Sequence, residues 1–207
     1  MKKIVFTVFF TVAGLLVTHA QADQSLPQIG VKGGFNFSTI TGDDFDDGQD
    51  PRTSFNVGLL AELPLSDRFS IQPEVLYSAQ GFDIKQYDNS DDLEYQLDYI
   101  QVPILAKFYL VKGLSIEAGP QFGFKVNEEI DSNPDSDGGD FDISEDSSSV
   151  KDFDTSIAGG VSYKFDNGFF LSGRYAYGLS SIFDDDSIFQ NIDVKNAVWQ
   201  VGVGFMF

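Results

Sequence analysis

An all-β chain closed as an eight-stranded antiparallel up-and-down β-barrel is what this sequence predicts, on three observations. Apolar and polar residues alternate with period two over long stretches, the signature of strands with one apolar face. The 207 residues include 21 Phe, 8 Tyr and 20 Gly, a composition that suits strands and turns better than helices. The connections between the extended stretches are also alternately short and long along the chain.

Strands are expected at about 29–38, 53–65, 69–84, 94–110, 114–126, 151–165, 169–180 and 194–207. The first, "IGVKGGFNFS", sets Gly30, Lys32 and Gly34 on its polar face, and the second sets Gly58 and Glu62 there. The third opposes Phe69, Ile71, Pro73, Val75 and Tyr77 to Ser70, Gln72, Glu74 and Ser78. Lys107 is the polar-face cation of the fourth. The fifth is the most regular, with Leu114, Ile116, Ala118, Pro120, Phe122, Phe124 and Val126 on one face. Its other face holds Ser115, Glu117, Gly119, Gln121, Gly123 and Lys125. The sixth opposes Phe153, Ile157, Val161, Tyr163 and Phe165 to Asp154, Ser156, Ser162 and Lys164. Arg174 and Gly178 mark the polar face of the seventh. The last, within "AVWQVGVGFMF", opposes Trp199, Val201, Val203, Phe205 and Phe207 to Gln200, Gly202, Gly204 and Met206.

A soluble sandwich also has one apolar face per strand, so the connections decide between the two. Residues 66–68 ("SDR"), 111–113 ("VKG") and 166–168 ("DNG") are tight turns, the last carrying the Asn-Gly hairpin signal. Between them lie long connections at about 39–52, 85–93, 127–150 and 181–193. In a meander this places every short turn at one end and every long loop at the other. That asymmetry belongs to a transmembrane barrel with short periplasmic turns and long, here acidic, extracellular loops. Both termini then fall on the periplasmic side.

The apolar face would meet lipid and the polar face would fill a narrow interior. Small residues suit that interior, and Gly30, Gly34, Gly58, Gly119, Gly123, Gly160, Gly178, Gly202 and Gly204 occupy it. So do Lys32, Lys107, Lys125, Lys164 and Arg174 beside Glu62, Glu74 and Glu117. A buried charge without a partner is costly, so Glu62, Glu74, Lys107, Glu117, Lys125, Lys164 and Arg174 are expected to form an interior charge network. Pro73, Pro103 and Pro120 fall inside strands of a sheet without edges, so bulges are expected at each.

The amino-terminal stretch reads as a secretory signal peptide over residues 1–20. Lys2 and Lys3 precede the apolar run "IVFTVFFTVAGLLV", and "THAQA" supplies small residues for cleavage after Ala20 or Ala22. About 14 apolar residues are too few for a spanning helix, which needs roughly 20. Residues 21–28 would be a short periplasmic segment and 29–207 the barrel domain. Cleavage removes Lys2 and Lys3, taking the formal charge from −19 to −21, and removes His19, the one histidine. Without histidine, a Ser-His-Asp triad, a histidine base and a histidine metal ligand are excluded. The chain has no cysteine, which excludes disulfides, thiolate metal sites and a cysteine nucleophile. Its acidity leaves no basic patch for nucleic acid.

"LDYIQVPILAKFYL" (97–110), then "GLSIEAGPQFGFKV" (113–126), then "RYAYGLSSI" (174–182) resemble, in that order, the PorT-type outer-membrane β-barrel domain proteins, a small "porin family" of Gram-negative, Bacteroidota-like bacteria. The resemblance covers nearly all of the chain beyond the signal peptide. It departs at Gln101, where Glu is frequent, which bears on interior charge pairing. The resemblance implies a monomeric eight-stranded barrel integral to the outer membrane, non-enzymatic, with a structural, surface-binding or secretion- and assembly-associated role. "Porin family" is here the name of a fold and does not imply a pore.

The loops are crowded with carboxylates: Asp43, Asp44, Asp46, Asp47 and Asp50; Glu128 to Asp146; Asp184, Asp185 and Asp186. Clustered carboxylates are hard-cation ligands, and Asp135, Asp137, Asp140 and Asp142 come nearest to a calcium loop. Against the EF-hand pattern, Asp135 and Asp137 fit positions 1 and 3, but Asp140 falls where glycine is required. No metal, cofactor or catalytic residue is therefore assigned, and repelling charges on a solvated loop explain the cluster. The alternative functions are a small-solute or ion pore and a divalent-cation-binding surface adhesin. Expected partners are outer-membrane lipid, the insertion machinery during assembly, and an extracellular ligand or secretion partner. Phe207 and Phe205 resemble the terminal aromatic signal read by that machinery.

Overall fold

The computed structural model describes residues 26–41, 50–84, 93–131, 140–142, 151–180 and 195–207. Nine strands occupy them: β1 (Gln28–Thr41), β2 (Asp50–Ser66), β3 (Phe69–Ile84), β4 (Leu93–Tyr109), β5 (Leu114–Asp131), β6 (Asp140–Asp142), β7 (Phe153–Lys164), β8 (Phe169–Gly178) and β9 (Lys195–Met206). Eight of them pair antiparallel with their neighbours in chain order. β1 pairs β9 and so closes the sheet, and the three-residue β6 is added along the far end of β5. The architecture is therefore an all-β closed eight-stranded antiparallel barrel.

The pairings also measure the barrel. Going round from Asn36 through Gln200, Arg174, Gly160, Glu117, Lys107 and Ser70, the path reaches β2 at Pro64. Asn36 itself pairs Ser54 on β2. The circuit thus returns ten residues further along the same strand, which is a shear of ten. Each step to the next strand therefore displaces the level by about 1.25 residues, the shear shared over eight strands.

Alternation decides which side of this wall each residue takes. On β9 and the residue that follows it, Trp199, Val201, Val203 and Phe207 are exposed while Gln200, Gly202, Gly204 and Met206 are buried. Val31, Phe35, Val57, Leu59, Ile104, Ile116, Ile157, Val161 and Leu171 continue the exposed apolar belt round the barrel. Aromatic pairs bound the belt. Tyr163–Phe165, Phe169–Phe205 and Phe205–Phe207 lie at the turn end, and Tyr175–Trp199, Phe55–Tyr77 and Phe122–Phe153 lie towards the loops. From Trp199 to Phe207 is about 27 Å along the strand at ~3.4 Å per residue, or about 20 Å along the axis of a barrel tilted ~40°.

Tight turns close the short-connection end. Gly113 and Gly168 have φ of 85° and 89°, the left-handed region that glycine adopts without strain. Asn167 Oδ1 accepts a hydrogen bond from the Phe169 N–H at 3.1 Å, and the Gly168 N–H donates to the Phe165 carbonyl at 3.1 Å.

The bulges lie elsewhere than the three prolines suggest. Register shifts occur between Pro51 and Asn56, between Pro64 and Ser66, and between Asp98 and Tyr99. Through Pro73, Pro103 and Pro120 the register is unbroken. The β3–β4 ladder passes from Pro73–Ile104 to Leu76–Gln101, and the β4–β5 ladder from Pro103–Gln121 to Ala106–Ala118, skipping pairs without inserting a residue. A missing donor removes a hydrogen bond, but register is set by the pairs on either side. β6 is a further departure, since the whole of 127–150 reads as loop in sequence. β5 instead runs on to Asp131 and pairs Glu129, Ile130 and Asp131 with Asp142, Phe141 and Asp140.

A small apolar cluster of Leu60, Phe170 and Met206 sits inside the wall near the turn end. The Phe170 ring covers Gly204, where a Cβ would overlap the ring and crowd the Val31 carbonyl. Gly204→Val is expected to lower the unfolding free energy by about 1–3 kcal/mol, the usual cost of overpacking. The measurement is the urea midpoint of the refolded barrel; an unchanged midpoint would contradict this packing.

Candidate functional site: the lumen and its two ends

Arg174 on β8 is 2% exposed and reaches across the lumen. Its Nη1 and Nη2 donate to the two carboxylate oxygens of Glu74 on β3 at 2.9 and 2.7 Å. Its Nε and Nη2 donate to Oε1 of Glu117 on β5 at 3.0 and 2.7 Å. Lys32 Nζ stands 3.5 Å from Glu74 Oε2, and Gln72 Nε2 donates to Glu74 Oε1 at 2.7 Å. Two cations and two carboxylates thus cross-link β1, β3, β5 and β8, with a forked guanidinium–carboxylate pair at the centre.

Nearer the turns, Glu62 gathers a second group. Lys164 Nζ donates to its Oε2 at 3.0 Å and Ser70 Oγ to its Oε1 at 2.9 Å, and the Tyr109 hydroxyl donates to Oε1 as well. Lys107 Nζ lies 3.9 Å from Glu62 and donates to Gln72 Oε1 at 3.0 Å, which joins the two groups. Both lysines lie over the Tyr109 ring, 5.7 and 5.6 Å from its centre. Beyond this group the lumen opens at the turn end into a mouth of about 750 Å³, bordered by Gln28, Arg68, Lys164 and Phe207.

Lys125 stands apart from both. Its Nζ bonds Glu128 at 2.8 Å and lies 3.4 Å from Asp152, at the loop end. Of the charges expected inside, Glu74, Glu117, Arg174 and Lys32 therefore form one group, Glu62, Lys107 and Lys164 another, and Lys125 a third with Glu128. The charge network expected from sequence leaves out Gln72, Tyr109 and Glu128. Gln72 and Tyr109 share the parity of Glu74 and Lys107 on their strands. Glu128 is displaced from the parity of Lys125 by the bulge at Asp98 and Tyr99.

Phe205 and Phe207 lie at the turn end of β9, their rings 5.3 Å apart and edge to face. The Phe207 N–H donates to the Ile29 carbonyl at 2.8 Å, so the last residue still belongs to the closing seam. Its side chain is 69% exposed. Asp140 and Asp142 fall in β6, whereas Asp135, Asp137, both cleavage positions and most of the acidic loop residues lie outside the described residues. Among the described residues, no group of three or more His, Cys, Asp or Glu is arranged to hold a metal ion.

A family model described as "Outer membrane protein beta-barrel domain" matches residues 19–184. Among solved structures, Ail, the attachment invasion locus protein of Yersinia pestis, is 16% identical with a TM-score of 0.50, covering 87% of this chain and 98% of its own. Neisserial surface protein A is 13% identical with a TM-score of 0.48, covering 86% and 97%. The N-terminal β-barrel domain of Pseudomonas aeruginosa OprF is 15% identical with a TM-score of 0.40, covering 86% and 97%. No curated protein matches the chain.

Proposed function

Because the chain belongs to the outer membrane protein beta-barrel domain family, we propose that it is a closed, non-conducting barrel whose working surface is its acidic loop end. It is an integral outer-membrane protein whose apolar belt faces lipid. The observation that carries the proposal is the filling of the lumen at mid-belt, where Arg174, Glu74, Glu117 and Lys32 are each 5% exposed or less. Ions paired from four sides of an eight-stranded wall leave no room for a diffusing solute. What remains available to partners is the two rims, and the long connections with most of the carboxylates lie at one of them.

The role is then structural, surface-binding or associated with secretion and assembly, and it is non-enzymatic. Absence of cysteine, and of histidine beyond His19, supports the last point. Kinship with the PorT-type barrels is supported by the order of motifs over 97–126 and 174–182 and favours assembly. Carboxylate-rich loops favour surface binding. The likeness to Ail at 16% identity is one of fold, and the attachment role in that protein's name is not carried across. Residues 1–20 act as the signal peptide, both termini face the periplasm, and the barrel is a monomer.

Single-channel recording in a planar bilayer tests the closed lumen. The expected record has no stable open level; a steady current of small-ion size would overturn the proposal. Cross-linking in intact cells separates the roles, with periplasmic or membrane partners favouring assembly and external ligands favouring surface binding.

A further inference from the structure

Four buried amide side chains in the lumen carry oxygens that no protein donor reaches: Asn56 Oδ1, Gln101 Oε1, Gln121 Oε1 and Gln200 Oε1. Their residues are 2%, 4%, 2% and 3% exposed. Buried polar atoms are normally bonded, so four unmatched oxygens in one barrel call for a partner.

The shear brings them to one level. From Gln200, lateral pairing leads through Arg174 and Gly160 to Glu117 on β5. Three strand steps displace the level by about four residues, so Gln121, four residues beyond Glu117, regains the level of Gln200. Gln121 pairs Pro103 on β4, and one more step of about 1.25 residues makes Gln101 the nearest inward residue at that height. In the other direction Gln200 pairs Asn36 and Asn36 pairs Ser54. Two steps, about 2.5 residues, make Asn56 the level residue on β2. The four amides therefore form a ring drawn from β2, β4, β5 and β9, just on the loop side of Arg174.

The ring is rich in acceptors. Asn56 Nδ2 is spent on Asn36 Oδ1 at 2.6 Å and Gln121 Nε2 on Ser156 Oγ at 3.2 Å, which leaves their oxygens over. Gln200 Nε2 is a buried donor without a partner, and it shares its amide with an unmatched oxygen. Water brings as many donors as acceptors, so around one centre its lone pairs would face carbonyl oxygens. A small cation takes oxygens alone, and carbonyl rings are the usual device for stripping one of its water. No carboxylate belongs to the ring, which suits a single charge better than the two of calcium. Below it, the two cations Arg174 and Lys32 are offset by the two carboxylates of Glu74 and Glu117, and Glu117 Oε2 has no partner. On the loop side Glu128 is offset by Lys125, and buried Asp154 adds negative charge to the approach, which draws cations inward.

We propose that the ring of Asn56, Gln101, Gln121 and Gln200 binds one dehydrated monovalent cation of the sodium or potassium class inside the barrel. The refolded barrel is heated in sodium, potassium or choline chloride at equal ionic strength, and its thermal midpoint is read from the shift in gel mobility. A ligand of the folded state raises its stability by mass action, so the midpoint should rise saturably by a few degrees with sodium or potassium and stay flat with choline. Gln101→Met with Gln200→Met, which keeps volume and removes two oxygens, should abolish the rise. Equal midpoints in the three salts would mean water alone occupies the ring and would overturn the proposal. So would a rise that persists in the double variant, which would place the ion at the acidic loops. Should the variant not fold, glutamine side-chain amide NMR of the unaltered barrel decides. Saturable shifts of a few glutamine signals with potassium or sodium, absent with choline, support the site, and unmoved signals reject it.

Discussion

Arg174→Ala is expected to destabilise the barrel by about 3–5 kcal/mol, the scale on which a buried ion pair fails when one partner is removed. The substitution strips Glu74 of its forked partner and Glu117 of its only cation within bonding distance among the described residues, leaving Lys32 at 3.5 Å from Glu74. Two carboxylates at mid-belt are then served by one lysine. The readout is the urea midpoint of the refolded barrel, followed by gel mobility. The cause is separable from the loss of bulk. Arg174→Met and Lys32→Met combined with Glu74→Gln and Glu117→Gln removes all four charges, and replacing a buried ion group by neutral residues of similar volume is often neutral or better. That quadruple variant is expected to recover most of the loss. An alanine variant as stable as the parent, or a quadruple variant as weak as the alanine, would show that the ion group does not govern stability.

Deleting Phe207 is expected to act in the cell and scarcely at all on the folded barrel. In the structure the last residue contributes one hydrogen bond, to the Ile29 carbonyl, and one edge-to-face contact with Phe205. A hydrogen bond is worth about 1 kcal/mol net and an aromatic pair about 0.5–1.5 kcal/mol. Together they are a small part of a closed sheet's stability. A signal read by the insertion machinery would have its use before closure, and the deletion tests Phe207 for that role. The deletion should therefore fold from urea nearly as well as the parent while its amount in the outer-membrane fraction falls several-fold. Normal membrane levels would count against a signalling role, and a large loss of urea resistance would assign Phe207 to stability instead.

Much of this architecture is legible from residues alone because two periodic signals reinforce one another. Alternation in "LSIEAGPQFGFKV" assigns each side chain a face, and the glycine-containing turns at 111–113 and 166–168 assign each strand a direction. Both are local properties. What is not legible depends on distance along the chain. Arg174 meets Glu74 and Glu117, which lie 100 and 57 residues away, while Glu62 meets Lys164 at a separation of 102. Nothing in the sequence says which glutamate takes which cation. The level of a side chain depends on shear, which exists only once the sheet is closed, so the amide ring has no sequence signature. The prolines illustrate the opposite error. A local rule assigns bulges to Pro73, Pro103 and Pro120, but pairing on both sides holds the register and the ladder skips a rung.

Closure at a shear of ten makes the strand lengths an arithmetic property of the whole molecule. A residue lost from an open sheet can be absorbed at its edge; here each of the eight wall strands has two neighbours, and the count must still return to the same integer after one circuit. A single deletion near Leu59 or Val161 would turn the rest of its strand inside out and leave the circuit short. A deletion outside the eight wall strands would change neither. Lineages descended from this barrel should therefore vary in length almost wholly within their long connections, while substitutions that keep the parity accumulate in the wall. The lumen can change its chemistry one side chain at a time, but the wall admits insertions and deletions only in compensating sets.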